Sequence, residues 1–277
     1  MKIKENTASF LFIALSLAGV TTFFIVPFVM SLGYAATDME GNFVGLGNFG
    51  NLFSSESFRL AAGNTLKFMA VAIPPNIAIP LLIASLLWGI NGGNWLKTVF
   101  MSPLVIPSAC AAFFFQSLFM SNGLLSSIVG QNTNWLQTDY SFFIAVGLYI
   151  WKNMGFNLVL ALAGFSNIPK DYYEWGAVEG MGGVRSFFRI TLVYLIPALF
   201  VMLVMSLISS FKVYRELYML AGSYPNENIY MLQHYMNNQF ASLNYPNLTT
   251  AAFTITLAIV ALMVVFFMVD KNADLGE

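Results

Sequence analysis

Apolar residues dominate six stretches of the chain, and each stretch is long enough to cross a bilayer as a helix. About 20 predominantly apolar residues are needed to span the hydrocarbon core. Backbone amides in hydrocarbon must be paired within their own segment, so each stretch is predicted to be a helix. The predicted spans one to six are Phe10–Leu32, Leu66–Ile90, Val99–Met120, Ser141–Phe165, Thr191–Phe211 and Thr249–Val269.

Composition agrees with a membrane location. Of the 277 residues, 58% are hydrophobic and only 9% are charged, whereas soluble domains carry about 25% charged residues. Most of the outer surface therefore faces lipid, and we predict an all-α integral membrane protein with six transmembrane helices. The first apolar stretch, Phe10–Leu32, is longer than the roughly 7 to 15 apolar residues of a secretory signal, so it is predicted to be a retained span.

The same composition argues against several other classes of function. A net charge of −1 does not suit nucleic-acid binding, which needs a strong basic excess. The chain has one cysteine, Cys110, and one histidine, His234, and its acids lie mainly in loops or at the ends of spans. This set offers no catalytic triad and no metal site, so we predict a protein that is not an enzyme and that has no cofactor.

Basic residues near the ends of the spans predict the orientation. Short cytoplasmic loops carry an excess of Lys and Arg. With the N-terminus inside, seven basic residues flank the spans on the inner side and four on the outer side. The inner residues are Lys2, Lys4, Lys97, Lys170, Arg185, Arg189 and Lys271, and the outer ones are Arg59, Lys67, Lys212 and Arg215. Both termini are therefore predicted to be cytoplasmic, with outer loops at 33–65 and 212–248.

The stretch between spans four and five, "IPKDYYEWGAVEGMGGVRSFFRITL", has three acids, three bases and four glycines. A helix from about Pro169 to Glu179 is predicted, because proline suits the first helical turn. The glycines from Gly180 onward permit the reversal that ends the helix, and a positive φ is expected at Gly180. A second helix is expected to begin near Val184 and to run into span five.

The exposed face of this short helix indicates its partner. Helical spacing places Asp171, Glu174, Trp175 and Val178 on one face. A helix that rests on lipid headgroups is usually rich in Lys and Arg on its polar side. This face is acidic, which favours a protein partner in the cytoplasm over the lipid surface.

These residues resemble the permease subunits of binding-protein-dependent ABC importers, in particular the maltose-type sugar permeases. Their motif is Glu-Ala-Ala, three residues, Gly, nine residues and Ile-x-Leu-Pro. This chain has Glu174, Gly180, Ile190 and Leu192 at that spacing, with Trp175, Gly176 and Val193 in place of two alanines and the proline. Similarity extends from Phe43 to Val269 and includes "FVGLGNF" (Phe43–Phe49), "NTL" (Asn64–Leu66) and "WKNMGFNLVLALAGFSNIP" (Trp151–Pro169).

The resemblance implies that this chain works together with several other proteins. The short helix would dock into a cytoplasmic ATPase subunit, beside a second permease and an extracytoplasmic solute-binding protein, in the inner membrane of a prokaryote. The chain contains no G-x-x-x-x-G-K-[ST] motif, so ATP is expected to be hydrolysed on another chain. The implied domains are a first helix and outer loop (1–60), the importer domain (61–269) and a cytoplasmic tail (270–277). The implied coupling residues are Asp171, Glu174, Trp175, Ala177, Val178, Glu179, Gly180 and Arg185.

Five side chains at membrane depth are candidates for the substrate path. They are Asn76, Gln116, Tyr149, Asn153 and Asn157. Amides and aromatic rings suit the hydroxyls and C–H faces of a neutral polyol, whereas the alternative is hydrogen bonding between packed helices. Lys152 lies one residue away from the polar stripe of span four, and no role is assigned to it.

The predicted function is import of a sugar or oligosaccharide. A non-sugar solute, such as a polyol phosphate or a peptide, is an alternative within the same family, although the scarcity of intramembrane charge argues against a strongly ionic substrate. A stand-alone secondary transporter is an alternative from another class. Such transporters often show internal repeats and ionisable residues at the midplane, and no convincing repeat is found here.

Overall fold

The computed structural model describes residues 13–88, 94–130 and 132–274. The first residues of predicted span one, the end of span two and the last residues of the predicted tail lie outside this part. Most described residues are helical, and the only β-type pairing among them is an isolated bridge between Thr37 and Phe43. The helices are α1 (Ile13–Ala36), α2 (Gly47–Ser54), α3 (Glu56–Trp88), α4 (Asn94–Val105), α5 (Ser108–Phe119), α6 (Leu124–Val129), α7 (Ser141–Ser166), α8 (Lys170–Val178), α9 (residues 183–194), α10 (Ile196–Lys212), α11 (Tyr214–Ala221), α12 (Leu232–Ala241) and α13 (Tyr245–Asp274).

Six helical segments in the described residues are long and apolar enough to cross a membrane, which confirms the predicted all-α membrane fold. Four of them are α1, α3, α7 and the first part of α13. The fifth consists of α5 and α6 together, and the sixth consists of α10 and α11 together. Helix α3 begins well before the predicted Leu66, because Ser55 caps it by accepting the amide of Phe58 at 3.4 Å. Glu56 in its first turn adds a favourable interaction with the helix dipole.

Predicted span three differs from the structure. The run Val99–Met120 is divided between α4 and α5, with the break at Ile106 and Pro107. Pro107 has no N–H, and its ring disfavours a helical conformation at the residue before it. It adopts an extended conformation, with φ −57° and ψ 145°, and precedes the first turn of α5. Uniform hydropathy across this run hid the break.

The chain forms two compact units. In one, the described residues before Leu60 pack with those after His234. Phe28 contacts Phe253 with ring centroids 5.4 Å apart, and the Asn48 side chain donates to the carbonyl of Ala35 at 2.9 Å. The first and last membrane helices thus share a unit.

The other unit, Leu60–His234, contains the remaining membrane helices and two hydrophobic clusters. One cluster includes Phe68, Tyr149 and Leu217, and the other includes Leu158 and Met202. Helix α7 contributes to both clusters and is the most extensively buried membrane helix. It therefore positions polar side chains at its centre against α3, α5, α10 and α11.

His234 lies at the start of α12, in the segment that follows α11. Its ring is fully buried, and Nδ1 accepts the amide of Met231 at 3.2 Å. The ring packs edge-on against Tyr214 with centroids 4.7 Å apart. Burial lowers the pKa of His234 from its usual value of 6.5 to about 4. The histidine is therefore a neutral, hydrogen-bonded packing residue near neutral pH.

Candidate functional site

Helix α8 matches the helix predicted in the loop between spans four and five, within one residue at each end. Pro169 precedes it in an extended conformation, with φ −60° and ψ 134°. At its C-terminus Gly180 has a φ of +73°, as expected. The amide of Met181 donates to the carbonyl of Gly176 at 2.9 Å, and that of Gly180 to Ala177 at 3.0 Å. This is a Schellman motif, which satisfies the last carbonyls and fixes the turn.

One side of α8 packs against the helix that leads into span five. The Tyr173 hydroxyl lies 2.9 Å from Oγ1 of Thr191, so the two share a hydrogen bond. A Cβ atom added at Gly176 would lie 3.1 Å from Cδ1 of Ile190, which is a tight contact. Glycine in place of the family's alanine therefore allows α8 and α9 to approach closely.

The opposite side of α8 is free. Trp175 is 67% exposed and Val178 is 89% exposed. The other predicted coupling residues, Asp171, Glu174, Ala177, Glu179, Gly180 and Arg185, are exposed as well. No ion pair joins any of these charged groups to another residue in the described part of the chain. The predicted coupling residues are thus exposed, and we call the exposed side of α8, with Asp171, Glu174, Trp175 and Val178, the α8 face.

Several polar side chains of α3, α7 and α10 are hydrogen-bonded to one another. Pro80 has no N–H, which leaves the carbonyl of Asn76 in α3 without its helical partner. The side-chain amide of Asn157 donates to that carbonyl at 2.7 Å and to Oγ of Ser206 at 3.0 Å. The side-chain amide of Asn76 also donates to Ser206 Oγ at 3.0 Å. The Tyr149 hydroxyl donates to the carbonyl of Ser206 at 2.6 Å.

This amide network joins α3, α7 and α10. Asn76, Tyr149, Asn157 and Ser206 are all buried, and Asn76 Oδ1 has no partner among the described residues. The arrangement is the interhelical hydrogen bonding considered as an alternative for these positions. Sequence reasoning missed Ser206. The small polar residues in "MSLISSF" of α10 are the signal that could have found it.

The other two candidates of the substrate path lie elsewhere. Gln116 donates to the carbonyls of Met219 and Leu220 at 3.0 and 3.1 Å, so it links α5 to the end of α11. The Asn153 side chain donates to the carbonyl of Tyr149 at 2.8 Å, one turn earlier in α7. Of the five candidates, Tyr149 and Asn153 line a polar cavity in the described part of the chain.

That cavity, which we call the charged cleft, has a volume of about 180 Å³. It is lined by Ser108, Leu148, Tyr149, Lys152, Asn153, Ser209, Lys212, Val213, Arg215 and Glu216. Lys152 and Glu216 form an ion pair, and Ser108 Oγ lies 2.6 Å from both charged groups. Sequence reasoning missed Glu216, because its place in a predicted outer loop hid its approach to Lys152.

Comparisons with known proteins extend these observations. The family described as "Binding-protein-dependent transport system inner membrane component" matches residues 76–274. The arabinooligosaccharides transport system permease protein AraP of Bacillus subtilis (strain 168) is 30% identical over 274 residues, 94% of this chain and 87% of the relative. The sn-glycerol-3-phosphate transport system permease protein UgpA of Salmonella choleraesuis (strain SC-B67) is 29% identical over 213 residues, 73% of this chain and 72% of that protein.

A solved structure shows the same fold. It is the crystal structure of a bacterial alginate ABC transporter in complex with an alginate pentasaccharide-bound periplasmic protein. One of its chains aligns with a TM-score of 0.79 and 22% identity, over 96% of this chain and 94% of that chain. The family match covers most of the sequence and includes α7, α8 and α10, which carry the features described above. The resemblance seen in the α8 motif is confirmed, and the chain belongs to the family of binding-protein-dependent transport system inner membrane components.

Proposed function

We propose that this chain is the permease subunit of an ATP-driven importer that moves a sugar or oligosaccharide across the inner membrane of a prokaryote. Membership of the family supports a multi-pass transport subunit. The names of relatives support the substrate class, since AraP belongs to an arabinooligosaccharides transport system and the aligned structure holds an alginate pentasaccharide. A stand-alone secondary transporter finds no support in this family.

The α8 face carries the proposal. It combines carboxylates, an exposed tryptophan and an exposed valine on a helix whose two ends are fixed by Pro169 and by the Schellman turn at Gly180. A carboxylate such as Glu174 can accept charge-assisted hydrogen bonds, and tryptophan is enriched among residues that dominate binding energy. The face therefore suits a cleft on a cytoplasmic ATPase.

Contacts behind the α8 face provide a route for motion into the membrane. Tyr173 is hydrogen-bonded to Thr191, and Gly176 packs against Ile190. Residues 183–194, which include a π-helical segment at Phe187–Thr191, lead into α10 with a further irregularity at Leu195. A displacement of α8 by the ATPase would thus be passed to α10, which carries Ser206 of the amide network and Ser209 of the charged cleft.

Three further partners are proposed: a second permease, a pair of ATPase subunits and a solute-binding protein. A second permease is expected, because one chain with six membrane helices rarely encloses a path wide enough for an oligosaccharide. Two ATPase subunits would bind the two permeases. With both termini in the cytoplasm, the loops 33–65 and 212–248 would face an extracytoplasmic solute-binding protein.

We assign different roles to the five candidates of the substrate path. Tyr149 and Asn153 line the charged cleft and are placed where a transported solute could contact them. Asn76 and Asn157 are proposed to hold the helices together through the amide network, and Gln116 to hold α5 against α11. The path is therefore proposed to pass along the Asn153 side of α7.

The decisive test is reversal of charge on the α8 face. The Glu174→Lys variant is expected to reach the membrane in normal amounts, because the side chain is exposed and makes no internal ion pair within the described residues. It should lose ATP-driven uptake and co-purification with the ATPase. Lys97→Glu is the matched control, since it reverses one charge in the other predicted cytoplasmic loop and should leave uptake near normal. Normal uptake by Glu174→Lys, with the ATPase still bound, would contradict the assignment.

A further inference from the structure

The charged cleft carries more positive than negative charge. Lys152, Lys212 and Arg215 line it together with one carboxylate, Glu216. Glu216 is paired with Lys152, and neither Lys212 nor Arg215 forms an ion pair with any carboxylate in the described part of the chain. The four groups therefore sum to a formal charge of +2, from three cations and one anion. Lys212 and Arg215 are both exposed, so they are accessible to a solute that reaches the charged cleft.

The ion pair at the base of the charged cleft is held in place. Lys152 and Glu216 expose only 17% and 9% of their side chains. Ser108 Oγ donates to Oε1 of Glu216 at 2.6 Å and accepts from Nζ of Lys152 at 2.6 Å. These contacts tie α7 and α11 to the start of α5. The ammonium of Lys152 is thus fixed beside the space that Lys212 and Arg215 border.

Groups suited to a sugar adjoin the cationic ones. Asn153, Tyr149 and Ser209 line the same charged cleft. Amides and hydroxyls can bond sugar hydroxyls, while an arginine presents two parallel N–H donors to a carboxylate or phosphate. The charged cleft lies beside the last turn of α10, the end remote from α8, and would meet a solute that enters from the side opposite the ATPase.

We propose that the charged cleft binds the anionic group of the transported solute, a carboxylate or a phosphate carried on a sugar. This inference rests on the proposed function, because it names the substrate class of the same importer. It replaces the sequence-based argument against an ionic substrate, which did not place Lys212, Arg215 and Glu216 beside Lys152. The phosphate of an anionic lipid has the same chemistry, so the test must separate the two sources.

The test uses the complete importer complex in nanodiscs of phosphatidylcholine, without ATP. Ser209→Cys, in a Cys110→Ala background, reports on the charged cleft through its rate of reaction with a neutral maleimide. Glucose, glucuronate and glucose 6-phosphate are the probes, since they share a ring and differ in charge. We expect glucuronate or glucose 6-phosphate to slow the reaction about tenfold at a concentration where glucose has little effect, as charge-assisted hydrogen bonds imply.

Variants that remove a positive charge test whether the protection by anionic probes arises in the charged cleft. Lys212→Gln and Arg215→Gln should each abolish most of the protection by the anionic probe, and Arg215→Lys should restore part of it. Lys67→Gln is the matched control, because Lys67 lies over the Phe142 ring, 4.6 Å from its centroid, and does not line the charged cleft. Equal protection by all three probes, no protection by any, or an unchanged response in both Gln variants would overturn the proposal.

Two further experiments are needed. One distinguishes an anionic lipid from an anionic sugar as the ligand, and the other distinguishes failure of this inference from failure of the proposed function. Protection that arises only when phosphatidylglycerol is added to the nanodiscs, with none from the sugar acids, would assign the charged cleft to lipid and overturn the proposal. Glu174→Lys is labelled in native membrane vesicles, because its ATPase is expected to dissociate. It should lose uptake while the anionic probes still protect the thiol introduced by Ser209→Cys, since the labelling needs no ATPase. If the anionic probes protect no better than glucose in a complex that still couples ATP hydrolysis to uptake, the inference about the charged cleft is wrong and the proposed function still holds.

Discussion

Polar residues in α7 and polar residues on α8 have opposite surroundings. Asn157 and Tyr149 of α7 are buried, and their side chains bond to α3 and α10. Asp171 and Glu174 of α8 are exposed and form no ion pair within the described residues. Both sets looked like functional candidates in the sequence. The first set makes hydrogen bonds between helices, whereas the second is exposed, as the proposed docking to another protein requires.

The difference separates two kinds of experimental consequence. A buried hydrogen-bonding or packing residue affects mainly the free energy of unfolding. An exposed residue on a docking face affects mainly the association with its partner. The predictions below run from the largest expected loss of stability to the smallest, and each either supports or breaks this contrast between α7 and α8.

The largest loss of stability is expected when the ion pair between α7 and α11 is broken. Lys152→Met leaves Glu216 as a carboxylate with little exposure, which should cost about 3 kcal/mol of unfolding free energy. The double variant Lys152→Met with Glu216→Gln should recover much of this loss, because no unpaired charge remains. Unfolding in sodium dodecyl sulfate measures both. A double variant that loses the sum of the two single losses would show that the charges are not coupled.

Helix α7 also depends on a glycine for close packing. A Cβ atom at Gly155 would lie 2.9 Å from both Cα of Met101 and the carbonyl oxygen of Phe100, which are backbone atoms of α4. Gly155→Ala should therefore cost about 2 kcal/mol, as overpacking does.

Gly147 in the same helix provides the matched control. No atom lies within 4 Å of a Cβ added there, so Gly147→Ala should be neutral or slightly stabilising through helix propensity. Thermal unfolding of the purified complex distinguishes the two variants. Equal melting temperatures for Gly155→Ala and Gly147→Ala would mean that α4 and α7 are not held at this distance.

Loss of the amide network should have a smaller effect. Asn157→Ala removes the donor to the Asn76 carbonyl that Pro80 leaves open, at an expected cost of about 1 kcal/mol. Asn153→Ala removes only a bond to a carbonyl of its own helix and should cost less. The same unfolding assay compares them. A greater loss of stability in Asn153→Ala would break the assignment of Asn157 as the structural residue of the pair.

Hydropathy was sufficient to predict six membrane helices, because the bilayer imposes length and internal hydrogen bonding on each span. It could not predict the division of span three at Pro107, since both sides of the break are equally apolar. The motif around Glu174 and Gly180 predicted α8 and its glycine turn, because their chemistry is local. The partnership of Lys152 with Glu216 was missed, since it depends on how α7 and α11 pack and not on spacing along the chain.

The same limit applies to the candidates of the substrate path. Helical spacing placed Tyr149, Asn153 and Asn157 on one side of span four, which the sequence alone can show. Their different surroundings depend on Ser206 of α10 and on the open carbonyl before Pro80. Only the packed structure reveals that Asn157 bonds to α3 and α10 while Asn153 borders the charged cleft.

The smallest loss of stability is expected at Trp175 on the α8 face. Its side chain is 67% exposed, so Trp175→Ala should change the unfolding free energy by no more than about 0.5 kcal/mol. Uptake and co-purification with the ATPase should nevertheless fall, because a tryptophan at the centre of a docking face contributes strongly to binding. Trp95 near the start of α4 is equally exposed, at 67%, and Trp95→Ala is the matched control, with normal uptake expected. If the two alanine variants lose uptake equally, the tryptophan on α8 has no special part in coupling. If Trp175→Ala instead lowers the unfolding free energy as much as Gly155→Ala, the α8 face contributes to stability as α7 does. The contrast between the two regions would then be wrong.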